Sequence, residues 1–153
     1  MSAAGPAARL VLDVAPVAKP RMTQRDRWAE RPAVLRYRAY CDELRAKAGE
    51  AGYGVGGVLR VRFALPMPAS WSRAKRTRHD GAPHRGKPDV DNLCKGLMDC
   101  LLKDDAGVWR LEAEKVWAER GAIAVWQGDG DGTGLDDRGS VGGGRVPGVG
   151  LRA

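Results

Sequence analysis

The residues best suited to chemistry in this chain lie between Lys87 and Asp105, in the run KPDVDNLCKGLMDCLLKDD. Asp89 and Asp91 stand one residue apart near its start, Lys95 follows Asp91 by one helical turn, and Asp104 and Asp105 close it just after Leu102. The chain carries a net charge of +7, so this gathering of acids runs against its overall sign. A basic protein gains no affinity for a polyanion by concentrating negative charge, unless that spot holds a cation facing a phosphate. Two carboxylates about 4 Å apart repel by roughly 4 kcal/mol at an effective dielectric of about 20. A helix N-cap recovers ~1 kcal/mol of this, and an Asp to Lys pair one turn apart a few tenths. The pair therefore needs either water or a metal ion. Mg²⁺ takes a few carboxylates, several waters and phosphate oxygens, which suits an all-oxygen set lacking His and Cys. The residues alone leave a second reading open: Asp89 only caps the helix, Asp91 and Asp99 are solvated, and Asp104 and Asp105 occupy an exposed turn.

A helix must position these side chains. Val90, Leu93, Cys94, Leu97, Met98 and Leu101 recur on one face, which leaves Asp91, Lys95 and Asp99 on the polar face and Asp89 at the cap. Upstream, Leu10, Leu12 and Val14 alternate through residues 9–14 as in a half-buried strand. Val34, Tyr37, Cys41, Leu44 and Ala48 make the stripe of a helix opened by Pro32 and ended near Gly49. Leu59, Val61, Phe63 and Leu65 alternate with Arg60 and Arg62 in a second strand. Residues 70–87 lack any period and read as a loop. Trp109, Leu111, Ala113 and Trp117 alternate, Ile123 and Val125 follow, and the two segments read as an antiparallel hairpin. The order strand, helix, strand, helix, strand, strand predicts an α+β fold, a small mixed sheet with two main helices packed on it. One domain is expected over residues 1–127, followed by a Gly-rich disordered tail over 128–153.

The 26 Lys and Arg against 19 Asp and Glu, with an isoelectric point near 9.7, favour a polyanionic partner. A basic surface serving only solubility has the same composition. Two segments concentrate the charge. One holds Lys19, Arg21, Arg25 and Arg27; the other holds Arg73, Lys75, Arg76, Arg78, His79, His84, Arg85 and Lys87, just ahead of the acids, with Trp71 placed to stack on a base or to pack at the core's edge. Cys41, Cys94 and Cys100 are odd in number and lack C-x-x-C spacing, which indicates neither a disulfide framework nor a zinc site, and Cys94 and Cys100, in or near an apolar helix face, read as buried small hydrophobes. No long apolar run indicates a membrane, and a soluble cytoplasmic protein is expected. Two lures fail on spacing. The run from Asp129 to Asp137 imitates a calcium loop but has Ser140 in place of the closing Glu, and His79 and His84 lack a third ligand, which leaves them as cationic loop residues.

KPDVDNLCKGLMD followed by DDA, together with KPRMTQRDRW near the N-terminus, resembles the RusA family of Holliday junction resolvases and their phage relatives over roughly residues 8–127. The resemblance implies a Mg²⁺-dependent endonuclease, with Mn²⁺ as a substitute, that resolves four-way junctions in branched DNA by paired nicks. It implies a homodimer and no small-molecule cofactor. Asp89, Asp91 and Asp105 would be the catalytic, metal-binding acids, with Asp104 the alternative third acid, and Lys95 the cation that steadies the attacked phosphate or the leaving oxygen. DNA contacts would come from Lys19, Arg21, Arg25, Arg73, Lys75, Arg76, Arg78 and Lys87. The chain departs from the family's best-known bacterial member in a shorter stretch between Asp99 and Asp104, and in Pro88, where that member has an arginine. The rival reading is a non-catalytic structure-selective DNA-binding or phage accessory protein, which the clustered acids disfavour.

Overall fold

The computed structural model describes residues 9–27 and 31–126. The expected Gly-rich tail and the calcium-like run lie outside them. The elements are β1 (Arg9–Leu12), a 3-10 turn (Gln24–Arg27), α1 (Pro32–Glu50), β2 (Val58–Pro66), α2 (Arg73–His79), α3 (Val90–Leu101), β3 (Arg110–Ala118) and β4 (Ala122–Trp126). The fold is α+β, with one mixed four-stranded sheet in the order β1-β4-β2-β3. No helix among the described residues is long and apolar enough to cross a membrane.

The two long helices form where the apolar stripes were read. On α1, Val34, Tyr37, Cys41, Leu44 and Ala48 are buried, joined by Tyr40. Gly52 then takes φ +68°, a left-handed turn that lets Tyr53 N–H reach the Ala48 carbonyl at 2.9 Å and end the helix. On α3, Leu93, Cys94, Leu97 and Cys100 enter the same core as Tyr37 and Leu44, against Leu59, Val61, Phe63 and Leu65 of β2. Each fully buried Leu or Val there contributes roughly 1.5–3 kcal/mol.

Four expectations are corrected. The first is the hairpin. β3 and β4 follow each other in sequence, yet β2 lies between them, parallel to β3 and antiparallel to β4. Alternation marks a strand without naming its neighbour. The parallel register sets Arg60 opposite Glu112 and Arg62 opposite Glu114, and both pairs form ion pairs on the face away from the helices. Such cross-strand pairs add roughly 0.2–1 kcal/mol each. The link from β3 to β4 passes the end of β2, where Gly121 sits against Ala15 so closely that a Cβ would lie 2.6 Å from the Ala15 Cβ.

The second correction is α2, inside the expected loop. It spans under two turns and buries none of its residues fully, so no apolar period betrays it, and the Ser72 hydroxyl accepts from Lys75 N–H at 3.2 Å to start it. Third, Cys41 and Cys100 are not separate small hydrophobes but a disulfide joining α1 to α3, with Cα atoms 4.9 Å apart. A separation of 59 residues gives no local signal; helix packing brings them together. Only Cys94 among the described cysteines is a free buried thiol. Fourth, Trp109 precedes β3 and is 74 % exposed, lying over Gly57 instead of on a strand face.

Candidate active site

The polar face of α3 is a ridge between two basic segments. On one side the strand-like segment after β1 crosses the helix at Gly96, where an added Cβ would lie 3.2 Å from Lys19 N and 3.3 Å from the Val17 carbonyl. The Tyr37 hydroxyl donates to the Gly96 carbonyl at 2.9 Å. Lys19 pairs with Asp99, which closes this crossing. Beyond it, Lys19, Pro20, Arg21, Met22, Asn92 and Lys95 line an open cleft of about 460 Å³. Arg21, Arg25 and Lys95 are exposed.

On the other side, β3 holds the second basic segment along its outer edge. Gly81 N–H donates to the Trp117 carbonyl, Trp117 N–H to Ala82, and His84 N–H to Lys115, at 2.8, 3.0 and 3.0 Å. Trp71 packs on Trp117 and His79 with ring centres 4.8 Å apart in each case, and the His84 ring lies 3.8 Å from Trp117. Trp71 is therefore committed to internal packing, with Lys75 Nζ 4.4 Å from its ring centre. Arg76 is likewise occupied, by Glu119 at 2.8 Å and the Pro68 carbonyl at 3.1 Å. Arg73, Arg78 and Arg85 remain exposed. His84 is not a cationic loop residue: burial holds its imidazole below the ordinary value, with the Lys115 charge acting in the same direction.

Past this segment the chain enters α3 through the acids. Asp89 occupies the N-cap position, but its carboxylate makes no capping hydrogen bond; it accepts from Lys87 Nζ at 2.9 Å instead. That hydrogen bond and the carboxylate charge raise the Lys87 pKa. Asp91 is exposed and accepts from Asn92 N–H at 2.9 Å. Asp89 and Asp91 share an open cleft of about 480 Å³ with Arg85, Gly86, Lys87, Val90 and Lys115. Asp104 and Asp105 lie elsewhere, in the exposed turn before β3, where Asp104 accepts from Ala106 N–H at 3.0 Å and the Asp105 carbonyl accepts from Val108 N–H at 3.0 Å. Neither lines the Asp89–Asp91 cleft. Among the described residues no three His, Cys, Asp or Glu side chains gather into a metal cage. Two carboxylates on an open cleft still fit a hard cation that keeps several waters and takes phosphate oxygens. Cys94, behind the ridge, takes no part in such chemistry, since burial first and Asp91 second push its thiol up to about 11.

The family model described as "Endodeoxyribonuclease RusA" matches residues 13–126, which takes in every strand of the sheet except β1 and every site residue named above. The chain belongs to the RusA endodeoxyribonuclease family. A relative of this RusA-family chain is the uncharacterized protein YqaN of Bacillus subtilis (strain 168), 34 % identical over 77 residues. That match takes in 44 % of this chain and 53 % of the relative, so the chain spans about half the length of the curated relative it matches.

One site residue of this RusA-family chain escaped the sequence reading. Lys115 lines the acidic cleft from β3, and its ammonium donates to the Gly86 carbonyl and, at 2.7 Å, to the Pro88 carbonyl. A signal was present: Lys115 falls in the alternation of Ala113 and Trp117, on the strand face that also carries the core, opposite Phe63. A lysine there must find acceptors at the core's edge, since a desolvated ammonium without partners is costly.

Proposed function

We propose that this protein is a metal-dependent endodeoxyribonuclease that resolves four-way DNA junctions by paired nicks, acting as a symmetric dimer. The observation that carries this reading is the shared cleft of Asp89 and Asp91 on a ridge flanked by two basic segments, within the region that matches the RusA family. Asp89 and Asp91 would hold Mg²⁺, or Mn²⁺ in its place; the third acid that the family resemblance implies, Asp105 or Asp104, would have to reach the ion from the turn before β3, outside this cleft. Such an ion, when bound, supplies charge neutralisation at the phosphate and lowers the pKa of a water.

The remaining work falls to the chain's own side chains. Lys95 lies one helical turn from Asp91 and opens to the donor-lined cleft, so a phosphate lying across the ridge meets carboxylates on one side and an ammonium on the other. Fixed positive charge at that point favours the extra negative charge of the transition state over the ground state. Arg21, Arg25, Arg73, Arg78 and Lys87 would carry the strand to the ridge through phosphate contacts without reading sequence. Lys19, Lys75 and Arg76, engaged by Asp99, Trp71 and Glu119, act on DNA through the segments they brace. A four-way junction has two scissile strands related by an approximate two-fold axis, and a C2 dimer places one site on each.

The test is cleavage of a synthetic mobile four-way junction with and without Mg²⁺, using wild type and Asp91→Asn. Wild type should nick two strands symmetrically only with the metal. Asp91→Asn should lose at least ~10² in rate while binding the junction equally or more tightly, because it removes a negative charge facing phosphate. Wild-type cleavage by the variant would remove Asp91 from the site.

A further inference from the structure

We propose that Lys115 is a positioning residue for the Asp89–Asp91 pair, setting the path of the chain from the second basic segment into α3. The proposal rests on the nuclease reading above. Lys115 grips the incoming segment at two levels: its main-chain carbonyl accepts from His84 N–H at 3.0 Å, and its ammonium donates to the carbonyls of Gly86 and Pro88. Those carbonyls flank Lys87, whose own ammonium holds the Asp89 carboxylate at 2.9 Å. One side chain from β3 therefore fixes the residues on both sides of the lysine that orients Asp89.

The physical case is one of rigidity. Residues 85–87 are exposed, and among the described hydrogen bonds the only other one to the main chain of this stretch is Gly86 N–H to the His84 Nδ1 at 3.2 Å. Without the ammonium the segment between His84 and the first turn of α3 would keep few restraints, and Asp89 would move with it. Lys115 itself stands on a strand paired to β2 through nine residue positions, opposite the fully buried Phe63, so its root does not move. Hydrogen bonds from a charged donor are roughly twice as strong as neutral ones, which suits an anchor at an open cleft. Two of the three donors of an ammonium go to these main-chain carbonyls, so its task is holding the chain, separate from the phosphate-facing role assigned to Lys95. A displacement of about 1 Å in a reacting group can cost ~10² in rate.

Lys115→Met keeps the aliphatic stem and removes the donors; Lys115→Arg restores donors on a stem of similar length. Amide hydrogen exchange reads the main chain without needing metal or DNA, and single-turnover cleavage of a four-way junction reads the site. In Lys115→Met the amides of Gly86 and Leu93, which donate to the His84 ring and the Asp89 carbonyl, should exchange at least about ten-fold faster while those of Leu97 and Leu101 stay as in wild type. The cleavage rate at saturating enzyme should fall about 10-fold to 10²-fold, junction affinity without metal should stay within about three-fold, and Lys115→Arg should recover most of the loss. Unchanged exchange at Gly86 and Leu93 would overturn the proposal, as would wild-type cleavage by a variant whose exchange had risen. A uniform rise in exchange across α3 would also overturn it, showing general destabilisation. A wild-type protein that cleaves no junction would overturn the nuclease reading instead, and is told apart because the silence is then not confined to the variant.

Discussion

The two clefts beside α3 are close in volume, about 460 and 480 Å³, and opposite in chemistry. On the Lys19 side the polar lining is Lys19, Arg21, Asn92 and Lys95, each with hydrogen-bond donors and none a carboxylate, beside Pro20 and Met22; on the Lys115 side two carboxylates face three cationic side chains. A donor-lined cleft favours an anion. A cleft with paired carboxylates favours a cation, and its lysines then serve to hold carboxylate or main chain. The segments that form the outer walls differ as well. The Lys19 wall is held by one ion pair and a close approach at Gly96, whereas the Lys115 wall is laced to β3 by main-chain hydrogen bonds and an aromatic stack. The comparison shows that basic residues equal in sequence are unequal in the fold, because neighbours have already engaged Lys19, Lys75 and Arg76.

The sharpest way to test the asymmetry is at Lys95. Lys95→Ala should lower the single-turnover rate by ~10² or more and junction affinity far less, since it is one basic side chain among 26. Equal proportional losses in rate and affinity would make the donor-side cleft a general DNA contact. Next comes the wall held by aromatics. Trp71→Ala should destabilise the protein by about 2 kcal/mol, below the full cost of a core aromatic because Trp71 is only half-buried, and thermal unfolding measures it. An unchanged melting temperature would show that the stack with Trp117 carries no weight.

A smaller effect separates the two sides by salt. Arg21→Ala should reduce the slope of log affinity against log salt by about one, the share of one phosphate contact. Lys87→Ala should reduce it less, because Asp89 already neutralises that ammonium; equal slopes would contradict the assignment. The smallest effect is in pH. Burial depresses the His84 pKa below 6.5, so the unfolded chain takes up the proton more readily than the folded one. The stability His84 contributes is then complete above about 6.5 and is lost as pH falls below it, through the folded value. The melting temperature of wild type should drop more between pH 7 and 5 than that of His84→Phe, and parallel curves would dismiss the histidine.

Much of this arrangement was legible in residue order, and the reasons are local. An apolar stripe at three and four residues needs only its own helix to be recognised, so α1, α3 and the polar ridge bearing Asp91 and Lys95 could be read directly. Alternation likewise exposed β2 and the body of β3. The α2 helix could not be read, because seven residues without a fully buried side chain make no period. The role of Asp89 was half legible: the cap position was right, but its carboxylate answers Lys87, and two competing hydrogen bonds of similar strength are not ranked by spacing.

Residue order by itself determined which segments are helix or strand, that positive charge gathers on two segments ahead of the acids, and that Lys95 follows Asp91 by one turn of a helix with Asp89 at its start. Each follows from separations of a few residues. Only the tertiary structure decided that β2 enters between β3 and β4, that Cys41 meets Cys100, that Lys19 is bound to Asp99, and that Lys115 reaches the carbonyls beside Asp89. These contacts join residues 27 to 80 positions apart, or depend on which strand lies beside which. Spacing along the chain carries no information about such pairs, because their partners are chosen by the packing of the core and not by any property of the residues that lie between them.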